Sequence, residues 1–314
     1  MKMLSGLKCF FIGVFAILFF VGNSVAKDNS ESSHEPVCAK YHSHILAKDV
    51  AFCVDRSRPD LPARLGESVA YFMHGTNGGA KTWVKNKYFH SLSVLRGAGS
   101  LPSVTFVSFD TSAYSFFTDH PIKPGSTDTS KAYETWFITE FMPYIETTFG
   151  VCDRRDCRGL IGESMGGFGA LKTGLRHPDL FSVVSVNDPA LSPFEDNQPF
   201  DTWVKYFETK PVGALKGALV AKIFLDIFPD DLTFKSHDPT HLVRNYNSLY
   251  KFPALYFDMG GKDSYGFYDG YVLLKDALDK RGFVYSTFFD PKAGHDMWTK
   301  HSVDSLKFLM ANIH

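Results

Sequence analysis

The stretch that most constrains the fold is residues 158–171, which read RGLIGESMGGFGAL. A short apolar run leads into Gly162-x-Ser164-x-Gly166, and a helix-like segment bearing alanine and leucine follows. A strand-to-helix turn this tight leaves no room for side chains two residues before and after the serine, which explains the glycines. The bare spacing is a weak signal, but the flanking strand and helix patterns make it specific. Ser164 is therefore predicted to be a nucleophile on this turn, with a purely structural turn as the alternative.

The first 26 residues predict an export signal. Lys2 and Lys8 precede an apolar run, Phe10–Val21, and Ser24-Val25-Ala26 has the small-x-small pattern of a cleavage site. A run of about a dozen apolar residues is short for a bilayer crossing, which favours cleavage over an uncleaved anchor. The polar residues 27–36 are expected to be disordered. The sequence thus predicts an exported protein, periplasmic or secreted, with no stable membrane anchor after cleavage.

Four cysteines follow this segment: Cys38, Cys53, Cys152 and Cys157. An even number in an oxidising compartment predicts two disulfides, with buried reduced thiols as the alternative. Proximity favours Cys38–Cys53 and Cys152–Cys157, although four cysteines allow three pairings. No histidine flanks either pair at the spacing of metal ligands, so no metal is expected. The net charge of −1 argues against nucleic acid as a partner.

Residues 37–314 are predicted to form one α/β domain with a doubly wound, mostly parallel sheet, because strand-like runs alternate with helical patterns. An antiparallel hairpin over residues 37–54 would bring Cys38 opposite Cys53. The later predicted strands and helices are strands at 69–73, 104–109, 158–163, 181–186, 253–257 and 285–289, and helices at 133–149, 269–280 and 297–313.

The alternation stops between residues 189 and 250, which predicts a helical cap inserted over the carboxyl edge of the sheet. Helices are expected at about 201–209 and 213–228. The aromatic residues of the first part of the cap could line an acyl pocket or form the core of the cap itself: Phe194, Phe200, Trp203, Tyr206 and Phe207. The long loop 111–130 is also predicted to line a site.

A serine hydroxyl barely ionises at neutral pH, so Ser164 needs a base and an orienting carboxylate. On a sheet of this kind both follow the serine in sequence, each on a loop after a strand. His295 is the one later histidine directly after a predicted strand, and it is predicted to be the base. The others lie at helix ends, inside the last helix, in the cap or at the chain end: His177, His237, His241, His301 and His314.

Asp263 is the predicted acid, because it lies on the loop after the strand that precedes the His295 strand. Asp258, at the end of that strand, is the alternative, and Asp269 is expected to cap the next helix. Two backbone N–H groups are expected to hold the oxyanion, from Met165 after the serine and from Thr76 on the early His-Gly loop. His74 on that loop is expected to brace it and not to act as a second base.

These residues resemble the esterase D-type branch of the α/β-hydrolases, which includes S-formylglutathione hydrolases, feruloyl and other carbohydrate esterases, and mycolyltransferases. The resemblance spans about residues 41–298, and its segments are YHSHILAKDV at 41–50, FMHG at 72–75, GESMGG at 162–167, DPTHL at 238–242, GGKD at 260–263 and Gly294-His295. It implies the same assignment of Ser164, Asp263 and His295, with Met165 and Thr76 as oxyanion donors. The export signal and the two cysteine pairs are unlike the cytosolic formylglutathione enzymes, which makes a glutathione thioester a less favoured substrate. The residue after His-Gly is Thr76, where many relatives have a leucine.

The sequence thus predicts an exported serine esterase that cleaves small-molecule or carbohydrate-linked carboxylic esters through an acyl-enzyme, without a cofactor. An acyltransferase with an alcohol or sugar acceptor is one alternative. A non-catalytic binding protein on a hydrolase scaffold is another. The acyl and alcohol parts of the substrate do not follow from the sequence.

Overall fold

The computed structural model describes residues 35–56, 66–97, 103–193, 195, 198–199, 202, 205–206 and 214–314. The predicted export signal and most of the polar segment 27–36 lie outside these residues. So does most of the helix predicted at 201–209. Four of the five cap aromatics are also outside them: Phe194, Phe200, Trp203 and Phe207.

Eight strands of the described chain form one sheet. They are β1 (Val37–Ser43), β2 (Lys48–Asp55), β3 (Ser68–Met73), β4 (Val104–Phe109), β5 (Arg158–Glu163), β6 (Val183–Asn187), β7 (Ala254–Gly260) and β8 (Ser286–Asp290). Their order across the sheet is β1-β2-β4-β3-β5-β6-β7-β8. The β1–β2 and β2–β4 pairs are antiparallel and all the other neighbours are parallel. This confirms the predicted α/β class with a mostly parallel sheet.

Eleven α-helices are defined in the described chain. They are α1 (Thr82–Lys85), α2 (Lys87–Gly97), α3 (Tyr133–Trp136), α4 (Met142–Phe149), α5 (Met165–Arg176), α6 (Ala214–Ile227), α7 (Asp231–Lys235), α8 (Pro239–Arg244), α9 (Tyr268–Arg281), α10 (Met297–Lys300) and α11 (Ser302–Asn312). A π-helical turn, Phe137–Phe141, joins α3 to α4, so the predicted helix at 133–149 is continuous but not uniform. The cap contributes α6, α7 and α8 between β6 and β7.

Two hydrophobic clusters cover the two faces of the sheet, because side chains alternate along each strand. In β3, Tyr71 and Met73 point into one cluster, with α4, α5 and α6. Ala70 and Phe72 point into the other, with α2 and α11. Both faces of the central strands are therefore buried, which explains why their sequences read as continuous apolar runs.

Both predicted disulfides are present. Cys38 lies opposite Cys53 in the register of β1 and β2, and their Cα atoms are 4.0 Å apart. Cys152 is bonded to Cys157 directly before β5, with a Cα–Cα distance of 6.0 Å. The second bridge closes the segment through which the chain enters the strand that carries Ser164.

Two predictions about helix ends are wrong. The sequence pattern predicts one unbroken helix over about 297–313, but the helix is interrupted at His301, which separates α10 from α11. The expected N-cap Asp269 lies inside the first turn of α9, whose N-cap is Phe267. The side chain of Asp269 instead accepts a hydrogen bond from the hydroxyl of Tyr206, a contact with the cap that local sequence does not reveal.

Among the described helices, none has the length and apolar character needed to cross a membrane.

Candidate active site

Ser164 occupies a sharp turn between β5 and α5. Its backbone has φ 52° and ψ −118°, a conformation that costs a non-glycine residue about 1–3 kcal/mol. Glycine is required on both sides: a Cβ on Gly162 would lie 2.4 Å from the carbonyl oxygen of Gly166, and one on Gly166 would lie 1.9 Å from that of Met73. The tight turn predicted from the glycine spacing is confirmed, and it holds Ser164 at the N-terminus of a buried helix.

The side chains of His295 and Asp263 meet at this serine. The Nε2 atom of His295 lies 2.7 Å from the Oγ of Ser164, and its Nδ1 atom lies 2.6 Å from the Oδ2 of Asp263. The other carboxylate oxygen of Asp263 accepts the N–H groups of Tyr265 and Phe267, at 3.0 and 2.9 Å. The Asp263 side chain is fully buried, so these contacts fix its orientation, and its bond to Nδ1 of His295 leaves Nε2 facing the serine.

The alternative acid, Asp258, is not at the end of its strand. It lies inside β7, is fully buried and accepts hydrogen bonds from the side chain of Asn187 and the backbone of Asp188. Strand β7 continues to Gly260, which leaves Asp263 on the loop beyond it. Of the two predicted candidates, Asp263 is the one that contacts His295.

The two predicted oxyanion donors border the same site. Met165 is the first residue of α5, so its N–H has no acceptor within the helix and lies at the positive end of the helix dipole. Thr76 lines the cavity that contains Ser164. Behind this loop, the ring of buried His74 contacts the Gly75 carbonyl oxygen at 2.8 Å and the Thr111 hydroxyl at 2.9 Å. His74 therefore braces the loop, as expected.

A cavity of about 440 Å³ opens at Ser164 and His295. The loop 111–130 contributes Tyr114 and Phe116 to its wall, as the sequence predicted, and α6 of the cap contributes Leu219 and Ile223. Aromatic rings surround the base, with the Tyr265 and Trp298 ring centres at 4.7 and 5.3 Å from that of His295. The described wall is mostly apolar, which suits an uncharged acyl or aromatic group beside the serine.

The charge around His295 favours its protonated form. Burial by itself lowers the pKa of His295, but the hydrogen bond and charge of Asp263, with the charges of Asp188 and Glu163, raise it above its ordinary value. Sequence reasoning missed Asp188 and Glu163. One signal was available: Asn187-Asp188 directly follows β6, and polar residues at the carboxyl ends of parallel strands commonly face a site.

Glu163 gives the folding stability a measurable pH dependence. Burial raises its pKa from 4.5 to about 7, against the hydrogen bonds from Asn86 and Gly75. Because the folded pKa is the higher one, this glutamate weakens folding progressively as the pH rises from about 4.5 to 7. We therefore expect the free energy of unfolding of Glu163→Gln, relative to that of wild type, to increase by about 2–3 kcal/mol when the pH is raised from 5 to 8. Urea unfolding of both proteins at the two pH values measures this, and an equal difference at both would contradict it.

A family model described as "Putative esterase" matches residues 72–269. No curated protein sequence matches the chain. A ferulic acid esterase has a similar structure, with 21% identity and a TM-score of 0.62, over 89% of this chain and 98% of that chain. An S-formylglutathione hydrolase from Agrobacterium tumefaciens has 17% identity and a TM-score of 0.68, over 91% and 98%. MPT51 (FbpC1) from Mycobacterium tuberculosis has 15% identity and a TM-score of 0.63, over 90% and 100%. At these identities the similarity establishes the α/β-hydrolase fold.

Proposed function

We propose that this chain, which belongs to the esterase family, is a serine carboxylic-ester hydrolase in which Ser164, His295 and Asp263 perform the reaction through an acyl-enzyme, and that it acts after export. The observation that carries the proposal is the continuous contact from the Asp263 carboxylate through the His295 ring to the Ser164 hydroxyl, at 2.6 and 2.7 Å. A nucleophile, a base and an orienting acid at hydrogen-bond distance are the groups that acyl transfer requires.

In the first half of the reaction, the Ser164 oxygen bonds to the ester carbonyl carbon while its proton passes to Nε2 of His295. The carbonyl electron pair moves onto oxygen, which the N–H groups of Met165 and Thr76 would hold. When this intermediate collapses, the carbon–oxygen bond to the alcohol breaks, and the leaving alkoxide takes the proton from His295. Asp263 stabilises the imidazolium throughout.

In the second half, His295 removes a proton from water while the water oxygen attacks the acyl-enzyme carbonyl. Collapse of the second intermediate breaks the bond to Ser164, which recovers its proton from His295. The products are the free acid and the enzyme in its starting state. An alcohol in place of water would give a transferred acyl group, which is the acyltransferase alternative.

Export is supported by the predicted signal at residues 1–26 and by the two disulfides, which persist in oxidising compartments. For the substrate, the structure supports only a broad class of esters. The apolar wall formed by Phe116, Leu219 and Ile223 suits an uncharged acyl or aromatic group, and the small-molecule or carbohydrate-linked esters predicted from the sequence meet this condition.

The purified protein is expected to hydrolyse p-nitrophenyl acetate and to react with a fluorophosphonate probe at Ser164, as mapped by peptide mass spectrometry. Ser93→Ala serves as a matched control, because Ser93 is exposed on α2 and bonds the Phe89 carbonyl. This variant should keep both activities. Absence of labelling in folded protein would overturn the proposal, and a non-catalytic scaffold would then be the better description.

A second arm decides between hydrolysis and transfer. The released acyl product is analysed with and without a simple alcohol or a sugar in excess over the ester. Free acid as the main product in both conditions supports the hydrolase, and acceptor-dependent formation of a new ester at equal p-nitrophenol release supports the acyltransferase.

A further inference from the structure

We propose that Asp188 is a positioning residue that holds the acid and base loops of the proposed Ser164–His295–Asp263 site against the end of β6. The inference rests on the proposed function of that site. It concerns a residue that neither forms the triad nor lines the described part of the cavity.

The sheet order places the end of β6 in the middle of the site. Strand β6 pairs with β5 on one side and with β7 on the other, and β7 pairs with β8. Ser164 follows β5, Asp263 follows β7 and His295 follows β8. The residues after β6 are therefore the segment that can reach the loops of all three, because the carboxyl ends of parallel strands meet at one edge.

Asp188 binds two of these loops, one with each carboxylate oxygen. Its Oδ1 accepts the N–H of Gly260, at 3.1 Å, where β7 ends and the loop to Asp263 begins. Its Oδ2 accepts the N–H of Met297, at 2.6 Å, two residues after His295. One fully buried carboxylate thus ties the loops of the acid and the base to the same point.

The residues that flank Asp188 bond to the nucleophile itself. The Asn187 carbonyl accepts the N–H of Ser164 at 3.0 Å, and the N–H of Ala190 donates to the Ser164 carbonyl at 3.0 Å. The segment 187–190 therefore contacts the backbone of the serine on both sides, in addition to the two loops.

A buried polar network holds Asp188 in place from behind. Its N–H donates to Oδ1 of Asp258 at 3.0 Å, and Oδ2 of Asp258 accepts from the side chain of Asn187 and from the Tyr256 hydroxyl. The backbone of Asp188 has φ 44°, which an isolated aspartate rarely adopts, and these contacts compensate for the strain. A buried polar network around a strained residue is expected where the exact position of that residue has a role.

Asp188 also acts on His295 by its charge. The charged groups that act on His295 are Asp263, Asp188 and Glu163, and those that act on Asp188 include His295 and Asp263. Burial raises the pKa of Asp188 to about 6, so the carboxylate is mostly ionised at neutral pH. Its negative charge then helps to raise the pKa of His295, and with it the pH below which the base is protonated and inactive.

The test is Asp188→Asn, since asparagine tolerates a positive φ and matches the shape of aspartate. We expect kcat/KM for p-nitrophenyl acetate to fall about 10- to 100-fold, as for a small misplacement of catalytic groups. We also expect the acidic limb of the pH profile to move to lower pH, because the charge that raises the pKa of His295 is gone. The fall should lie mainly in kcat, since the variant leaves the cavity wall intact.

Asp238→Asn is the matched control. Asp238 is equally buried, its pKa is also raised to about 6 by burial, and it accepts the backbone N–H of His241 at 2.8 Å. It caps α8 and is not among the groups that act on His295. This control should lose stability but keep the acidic limb. If Asp188→Asn behaves in the same way, with its limb unmoved, Asp188 is only structural and the inference is wrong.

Hydrogen exchange of the wild-type protein gives a second measurement if the variant does not fold. When the pH falls from 7 to 5, Asp188 gains a proton, so one of its two amide partners loses an acceptor. The protection factor of Met297 or Gly260 should then decrease, while that of Thr233, bonded to exposed Asp230, should not. Unprotected amides at both positions at pH 7 would show that the two hydrogen bonds are absent, and would overturn the inference. Absence of any wild-type ester hydrolysis or labelling would instead contradict the proposed function.

Discussion

Replacing Ser164 with alanine is expected to lower kcat by about 10⁵- to 10⁶-fold, which is the largest effect of any substitution considered. The reason is that the bond to the acyl carbon cannot form without the hydroxyl, whereas the backbone donors and the cavity persist. His295→Ala should cost a similar factor, because the serine proton then loses the acceptor that lies 2.7 Å from the hydroxyl. The measurement is the initial rate of p-nitrophenyl acetate hydrolysis by each purified variant.

The double variant makes this test sharper. If Ser164 and His295 act as one unit, Ser164→Ala with His295→Ala should be no slower than either single variant. Two independent contributions would instead multiply. Ser93→Ala and His42→Ala are suitable controls, since both side chains are exposed and distant in sequence from the site. Circular dichroism of each variant excludes a loss through unfolding.

Replacing Lys172 with methionine is expected to destabilise the fold by about 3–5 kcal/mol, because it removes one partner of a buried ion pair. Lys172 lies on α5 with a fully buried side chain, and its Nζ contacts Oε2 of Glu134 at 2.8 Å. The other oxygen of Glu134 contacts Arg176 and His177, each at 2.8 Å. Burial alone would raise the pKa of Glu134, but the Lys172 charge, the His177 hydrogen bond and the Arg176 charge hold it well below its ordinary value.

The same lysine supports the substrate cavity. Its Nζ donates to the Phe117 carbonyl oxygen, in a loop where Phe116 and Phe117 both have positive φ, at 46° and 53°. Phe116 lines the cavity at Ser164. We therefore expect Lys172→Met to raise KM for esters with longer acyl chains more than for the acetate, because the strained loop loses its donor.

Urea unfolding followed by tryptophan fluorescence measures the stability change. Lys222→Ala is the matched control: Lys222 forms an exposed i,i+4 pair with Asp226 at 2.6 Å, and its loss should cost less than about 0.5 kcal/mol. If the free energy of unfolding of Lys172→Met lies within about 0.5 kcal/mol of the wild-type value, the buried pair makes no net contribution to stability. An unchanged KM series would remove Lys172 from the support of the cavity.

The local sequence was sufficient to predict features that depend on residues close together along the chain. Glycines at 162 and 166 admit only a tight turn, and the apolar runs that flank it define a buried strand and a helix. Strand order then ranks the acids and histidines that follow, which selected His295 and Asp263 over their competitors. The disulfide pairs follow from proximity along the chain.

Contacts between distant segments could not be obtained in this way. Asp269 looks like a helix cap in sequence, but Tyr206 of the cap occupies its side chain. Asp258 reads as the last residue of a strand, yet the strand continues to Gly260 because its pairing with β8 extends that far. In both cases a partner far along the chain decides the role of the residue.

The sequence by itself singled out the proposed nucleophile and base and left two candidates for the acid, Asp263 and Asp258, because the tight turn and the order of strands restrict these roles to very few positions. The tertiary structure alone decided what surrounds them. Burial turns Glu163 and Asp188 into carboxyl groups with raised pKa values, and the pairing of β6 between β5 and β7 places Asp188 among three loops. Desolvation and long-range pairing depend on the packed molecule, and no local pattern encodes either one.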